Sequence, residues 1–271
     1  MSDEEEDDLG IKPGTVIDSS KANYVVIKLL GEGGFGAVFK VHDQKDPTKL
    51  FAMKVEKKLE TRKHSKLKME IAILKLVSQE RKQSHFTSII DRGKKETYFF
   101  LVMELVGKSL ADLKNQRPGR VFSISTGLGA SIQCLEACED LHKYGFIHRD
   151  LKPANYACGL REKKRVIYIL DFGIARRILN DKGELKTPRM TVKFKGTIPF
   201  ASISCHRNTE MGPKDDYCTV HLIEFHHGYT SVYKFPSRIY VRKWSNDSIS
   251  SFTIIDYLDS RLSSNWSNGR Q

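Results

Sequence analysis

The sequence predicts an α+β chain, strand-rich over its first hundred residues and helical after them, and three observations carry that reading. Five short runs rich in β-branched and aromatic residues, at 24–30, 37–41, 50–55, 88–91 and 97–104, follow one another with turn formers between them. One stretch interrupts them, where Leu67, Ile71, Leu74 and Val77 recur at helical spacing. After Glu104 the period changes: Ile124, Leu128, Ile132, Leu135, Cys138 and Leu141 step by three and four, which predicts one long amphipathic helix. Ser123 or Ser125 is its expected N-cap, and Gly145 falls just past its end. A short apolar strand at 166–170 then runs into Asp171.

Composition narrows the class. A chain of 271 residues, 39% of them hydrophobic, can bury a sizeable core as one large domain or two lobes. It has no run of about 18 apolar residues, so no membrane span is expected. The opening MSDEEEDDLG is acidic where an export signal would be basic and then apolar, which points to the cytoplasm, with the nucleus also open. Cys134, Cys138, Cys158, Cys205 and Cys218 are odd in number and scattered, which suits a reducing compartment. Cys134 and Cys138 sit four apart on the predicted helix, but no second pair with zinc spacing accompanies them, so they read as packing residues.

Net charge is +12, and without Asp3, Glu4, Glu5, Glu6, Asp7 and Asp8 the remainder carries +18. So basic a body should attract acidic or phosphorylated partners. Nucleic acid is the weaker expectation, because the basic residues are spread along the chain without a recognised binding module. Residues 1–20 read as a disordered acidic tail.

The stretch GEGGFGAVFK, Gly31 to Lys40, could be a dinucleotide-binding turn opening a helix or a hairpin lying over a nucleotide triphosphate. Ala37, Val38, Phe39 and Val41 favour a strand after Gly36, and so the hairpin. Two charges then look misplaced: Lys54 alternates with apolar neighbours in a strand, and Glu70 lies in the apolar stripe of the first helix. Paired, they satisfy each other and present the ammonium to α- and β-phosphates. In HRDLKPAN, Asp150 can take a proton from a hydroxyl, Lys152 can steady a γ-phosphate and Asn155 can hold a metal ion. Asp171, in Asp171-Phe172-Gly173, adds a carboxylate ligand, and one carboxylate with one amide suits Mg2+.

In this order, Gly31-x-Gly33-x-x-Gly36-x-Val38, Lys54, Glu70, HRDLKPAN and DFG resemble the eukaryotic protein kinases over about residues 20 to 216. The stretch KFKGTIPFAS, Lys193 to Ser202, looks like the casein-kinase-1 superfamily. RDLKPANYACG and the hinge segment MELVGKSLADL are similar to its tau-tubulin kinase branch. The resemblance implies a bilobal fold with a β-rich N-lobe at 21–104 and a mainly helical C-lobe at 105–225. It implies ATP and Mg2+ held by Gly31, Glu32, Gly33, Gly34, Phe35, Gly36, Val38, Ala52, Lys54, Met103, Glu104, Val106, Asn155 and Asp171. Asp150, Lys152, Lys54 and Glu70 would be catalytic.

Lys152 and Thr197 mark the serine/threonine class, so protein hydroxyls are the implied acceptors, with acidic or primed sites favoured by the basic run from Arg176 to Lys195. Asp216 matches the aspartate that anchors the catalytic loop, but from about residue 217 the pattern departs from the family. The C-lobe is therefore expected to look truncated, with 226–271 an atypical, disordered tail. Two alternatives follow: a kinase-like module that binds nucleotide or protein without turnover, and a basic nucleic-acid-associated protein.

Overall fold

The computed structural model describes residues 9–33, 36–58, 65–77 and 84–217. The expectations for Gly34 and Phe35, for the first eight residues, and for everything after Tyr217, including the atypical tail, lie outside the described residues.

Six antiparallel strands form the first layer: β1 (Val16–Asp18), β2 (Asn23–Gly33), β3 (Gly36–Asp43), β4 (Leu50–Lys57), β5 (Ile89–Lys94) and β6 (Tyr98–Glu104), in the sheet order β1-β2-β3-β4-β6-β5. Their alternation divides the side chains cleanly. Met53, Val55, Phe100 and Val102 pack with Ile17, Tyr24, Phe39 and Val41 on one face. Ala52, Leu101 and Met103 turn to the other, where α1 (Lys66–Val77) lays down Leu67, Ile73, Leu74 and Val77. A strand period of two thus feeds two cores from one sheet.

β1 corrects the sequence reading of residues 1–20. Within that span Ile17 is 1% exposed, and Val16–Asp18 pairs with β2, so residues 9–20 are part of the fold. Composition missed this because the acids that dominate it lie in the first eight positions, while Ile11 and Ile17 carry the burial.

After β6 the chain becomes helical, with α2 (Leu110–Asn115) and α3 (Ile124–Lys143). Ser123 caps α3, accepting from the Thr126 amide at 3.3 Å. Its buried face keeps the second half of the predicted stripe, Leu135, Cys138 and Leu141, and not the first. Ser131, Cys134, Ala137, Cys138 and Leu141 are buried, whereas Ile124, Leu128 and Ile132 are exposed, Ile124 at 91%. Apolar periodicity shows which face could pack, but here close approach to the rest of the core is made by small residues. Those small residues let two short ribbons sit against the helix: β7 (Phe146–Ile147) with β10 (Arg176–Arg177), and β8 (Tyr156–Cys158) with β9 (Ile167–Ile169). A short helix, α4 (Ile203–His206), packs Cys205 with Ile147 and Met211.

Gly93 shows how tightly the sheet is filled. It pairs with Phe100 across β5 and β6, and a Cβ there would lie 2.4 Å from the Phe100 ring, which is 1% exposed. Gly93→Ala should therefore cost about 1–3 kcal/mol by overpacking. Chemical denaturation would register this as a lower midpoint at unchanged slope, and an unchanged midpoint would mean the ring can turn aside.

Candidate active site

The glycine-rich stretch is a hairpin. β2 runs through Gly31 and Glu32 to Gly33, which pairs with Gly36, and β3 continues through Val38. Val38 in turn pairs with Lys54 on β4, so the strand after the last glycine leads directly to the lysine. On its other side β4 pairs Ala52 with Met103. Glu104 ends β6, and its carboxylate accepts from Lys163 Nζ at 2.7 Å and Tyr168 Oη at 3.3 Å, tying the sheet to β9. Leu105 and the half-buried Val106 then lead the chain towards α2, where the Gly107 amide donates to the Cys158 carbonyl at 2.7 Å.

Lys54 resolves both misplaced charges and adds a third. Its Nζ lies 2.6 Å from Glu70 Oε2 and 2.9 Å from Asp171 Oδ1. Burial alone would lower the ammonium pKa, but the two carboxylates beside it outweigh burial and push it up. Burial likewise raises the Asp171 carboxyl, and the Lys54 ammonium reverses this and holds it at about 2. Glu70, 3% exposed, is pushed up by burial and drawn back by Lys54. Asp171 takes a left-handed backbone, φ 65°, unusual for a residue with a Cβ. Beside it Phe172 is buried between the rings of Phe86 and His148, with centroids 5.8 and 5.4 Å away.

The two ribbons present the rest. The loop between β7 and β8 carries His148 to Asn155, and β9 ends next to Asp171. Asp150 Oδ1 accepts from the Thr197 hydroxyl at 2.7 Å, and its Oδ2 from Lys152 Nζ at 2.9 Å. Lys152 Nζ also donates to Thr197 Oγ1 at 2.8 Å, closing a three-membered network. Asn155 Nδ2 donates to the Asp150 carbonyl at 2.8 Å, which commits the amide nitrogen and leaves Oδ1 as the atom suited to a cation. Thr197 reaches this loop because Gly196, at φ 109°, has no Cβ; one there would lie 2.6 Å from the Arg149 carbonyl.

Asp216 holds the loop from beneath. It is 1% exposed, and its oxygens accept from the His148 amide at 2.7 Å, the Arg149 amide at 2.9 Å and His142 Nε2 at 2.9 Å. Burial raises its pKa, and these donors overcome burial to hold it below the usual carboxylate value. Arg149 is left-handed as well, at φ 71°, a strain of about 1–3 kcal/mol that the hydrogen bond from its amide helps to offset. Cys138, which sequence spacing left without metal partners, lies within 4.8 Å of ligand atoms of His142 and Asp216. Both Asp216 oxygens already accept backbone N–H groups, so the cluster reads as a hydrogen-bonded anchor.

Arg176 and Arg189 converge on Glu210. Arg189 grips its carboxylate through Nε at 2.7 Å and Nη2 at 3.2 Å, and Arg176 Nε lies 3.3 Å away. Burial, then the fields of Arg176 and Arg189, depress the Arg149 pKa. Two guanidinium groups thus share one carboxylate, and Arg149, whose Nε donates to the Ile174 carbonyl at 2.8 Å, lies within reach of their fields. Sequence reasoning placed Arg176 and Arg189 in a basic run but missed Arg149 and Glu210, which are brought to them only by the fold. It also missed Glu56, whose single sign was an acid at an inward-facing position of β4.

The sequence profile of the protein kinase domain matches residues 24–232. A Dictyostelium discoideum protein named a probable serine/threonine-protein kinase is 34% identical over 223 residues, 81% of this chain and 43% of its own length. The serine/threonine-protein kinase spe-6 of Caenorhabditis elegans is 32% identical over 79% of this chain and 56% of its own. A further Caenorhabditis elegans protein, whose name places it with casein kinase I, is 31% identical over 78% of this chain and 61% of its own. The chain spans about half the length of these curated relatives. Hairpin, lysine–glutamate pair, aspartate loop and profile agree, and the chain belongs to the protein kinase family.

Proposed function

We propose that the chain is a protein serine/threonine kinase that moves the γ-phosphate of ATP to protein hydroxyls, with Mg2+ as the metal, and that it sits near the tau-tubulin kinase branch of the casein-kinase-1 superfamily. The observation that carries the activity is the presence together of the Asp150, Lys152 and Thr197 network and the Lys54, Glu70 and Asp171 cluster. Asp150 orients the acceptor hydroxyl and takes its proton on a carboxylate oxygen. Lys152, already beside that carboxylate, balances negative charge gathering at the transferred group. Lys54, held by Glu70, positions the α- and β-phosphates. The Asp171 carboxylate and the Asn155 amide oxygen are the hard ligands that would hold the metal, which supplies charge neutralisation on the phosphates when bound. An ionised Asp171 and an amide nitrogen already committed at Asn155 fit that role.

The substrate reading extends this. Arg149, Arg176 and Arg189 carry more positive charge than Glu210 neutralises, beside the segment that leads to Thr197, and such a cluster favours acidic or phosphoserine-primed peptides. The net charge of +12 acts in the same direction at longer range.

Asp150→Asn should lower turnover at least about a hundredfold while nucleotide still binds, since general-base assistance is worth roughly 10²–10⁴. A radiolabelled ATP assay beside thermal shift with Mg-ATP checks both halves; equal turnover by wild type and variant removes Asp150 from the chemistry. The same pair of measurements separates the rival reading, because stabilisation by Mg-ATP without transfer would select a binding module.

An acidic or primed peptide should be phosphorylated faster than a basic one, and the ratio should shrink as salt rises past about 0.15 M, where the Debye length is roughly 8 Å. Replacing Arg176 and Arg189 by Ala should collapse the ratio at low salt. A ratio indifferent to both changes would place substrate selection elsewhere.

A further inference from the structure

Glu56 lies two residues beyond Lys54 on β4, and strand alternation sends both side chains away from the face that carries Met53 and Val55. It is 5% exposed. A carboxylate so buried needs partners, and α1 supplies them. Oε1 accepts from the Lys66 amide at 3.0 Å, and Oε2 from the Leu67 amide at 2.7 Å and the Ser65 hydroxyl at 2.5 Å. The Ser65 oxygen accepts from the Lys68 amide at 3.2 Å. Three of the N–H groups that a helix start cannot satisfy internally are thus met, two of them by a residue of the strand. α1 has no acid in its own first turn, so Glu56 also supplies the negative charge that the helix dipole favours there.

We propose that Glu56 is a positioning residue for the nucleotide site, clamping α1 to β4 together with Lys54, so that the Lys54–Glu70 pair is set from within the chain. The proposal rests on the kinase reading of that site. The two attachments match in spacing. Along β4 the side chains of Lys54 and Glu56 stand about 6.7 Å apart at the usual strand rise. Along α1 the Lys66 and Leu67 amides precede Glu70 by about 4.5–6 Å. One attachment would let the helix pivot about it; two at matched spacing fix both its rotation and its slide. Glu70 is then delivered to Lys54 by the same strand that holds Lys54.

The test uses the full chain as wild type, Glu56→Ala, Glu56→Gln, and Glu56→Ala combined with Ser65→Asp, which rebuilds a cap from inside the helix. Three readouts are taken: acylation of Lys54 by acetic anhydride followed by mass spectrometry, hydrogen exchange of the α1 amides, and kcat and KM for ATP. Glu56→Ala should speed Lys54 acylation about tenfold and raise KM for ATP similarly, the equivalent of losing one charge-assisted hydrogen bond. Glu56→Gln, which keeps the length but turns one of the two acceptor oxygens into a donor facing an α1 amide and removes the charge, should recover only part of both. Ser65→Asp should restore α1 amide protection without slowing Lys54 acylation.

Wild-type acylation in a folded Glu56→Ala protein overturns the proposal. So does full rescue by Ser65→Asp, which would make Glu56 a helix cap only. If Glu56→Ala does not fold, Glu56→Asp decides, since it keeps the charge but shortens the reach; unchanged Lys54 acylation there is again an overturning result. Absence of phosphate transfer by the wild type would defeat the kinase reading, yet Lys54 acylation would still decide the role of Glu56.

Discussion

The constraint on which the rest of the structure depends is that the buried Glu70 carboxylate and the half-buried Lys54 ammonium must be paired. Lys54 sits in the middle of a strand, between apolar neighbours, and is tolerable there only because Glu70 comes from α1 and Asp171 from the end of β9. Those two acids belong to different layers, so one cation's electrostatics draw the sheet, the first helix and the β8–β9 ribbon to a common point. The packing agrees with the charge. A single core cluster contains Ala52 and Leu101 from the sheet, Leu67 and Leu74 from α1, and Ile169 and Phe172 from the chain around Asp171.

A second buried charge organises the opposite side. Asp216 binds two successive backbone amides of the loop that holds Asp150, and one of those residues, Arg149, is kept in a conformation it would otherwise avoid. Acid and loop are 67 and 68 residues apart in sequence. The functional carboxylate is therefore positioned by hydrogen bonds to main chain, while its own oxygens stay directed at Lys152 and Thr197. Division of labour between a holding acid and a working acid keeps the second available for chemistry.

How much of this the sequence disclosed depends on the range of the interaction. Strand and helix periods placed β2, β3, β4, β6, α1 and α3, because local alternation is what those elements are made of. Lys54 and Glu70 were legible as a pair because each broke its own local pattern, and a broken pattern asks for a partner. The exposed ridge of Ile124, Leu128 and Ile132 was misread for the complementary reason: the stripe is real, but burial depends on what reaches it. Ile17 was hidden by the composition of its neighbours. The nearness of Arg149 to Glu210 left no local trace, and Glu56 left only an acid at an inward-facing strand position, since charged residues on a basic chain look like surface until the fold brings them together.

The backbone at Asp171 narrows what evolution could write there. The position requires a full negative charge to share Lys54, and it requires a side chain that accepts φ 65°. Asparagine would accept the conformation but carries no charge; glutamate would carry the charge but, with a longer side chain, visits the left-handed region far less readily. Glycine would relieve the strain and lose both the ion pair and any hold on a cation. Of the twenty amino acids, aspartate alone meets both demands, so no substitution at this position is conservative.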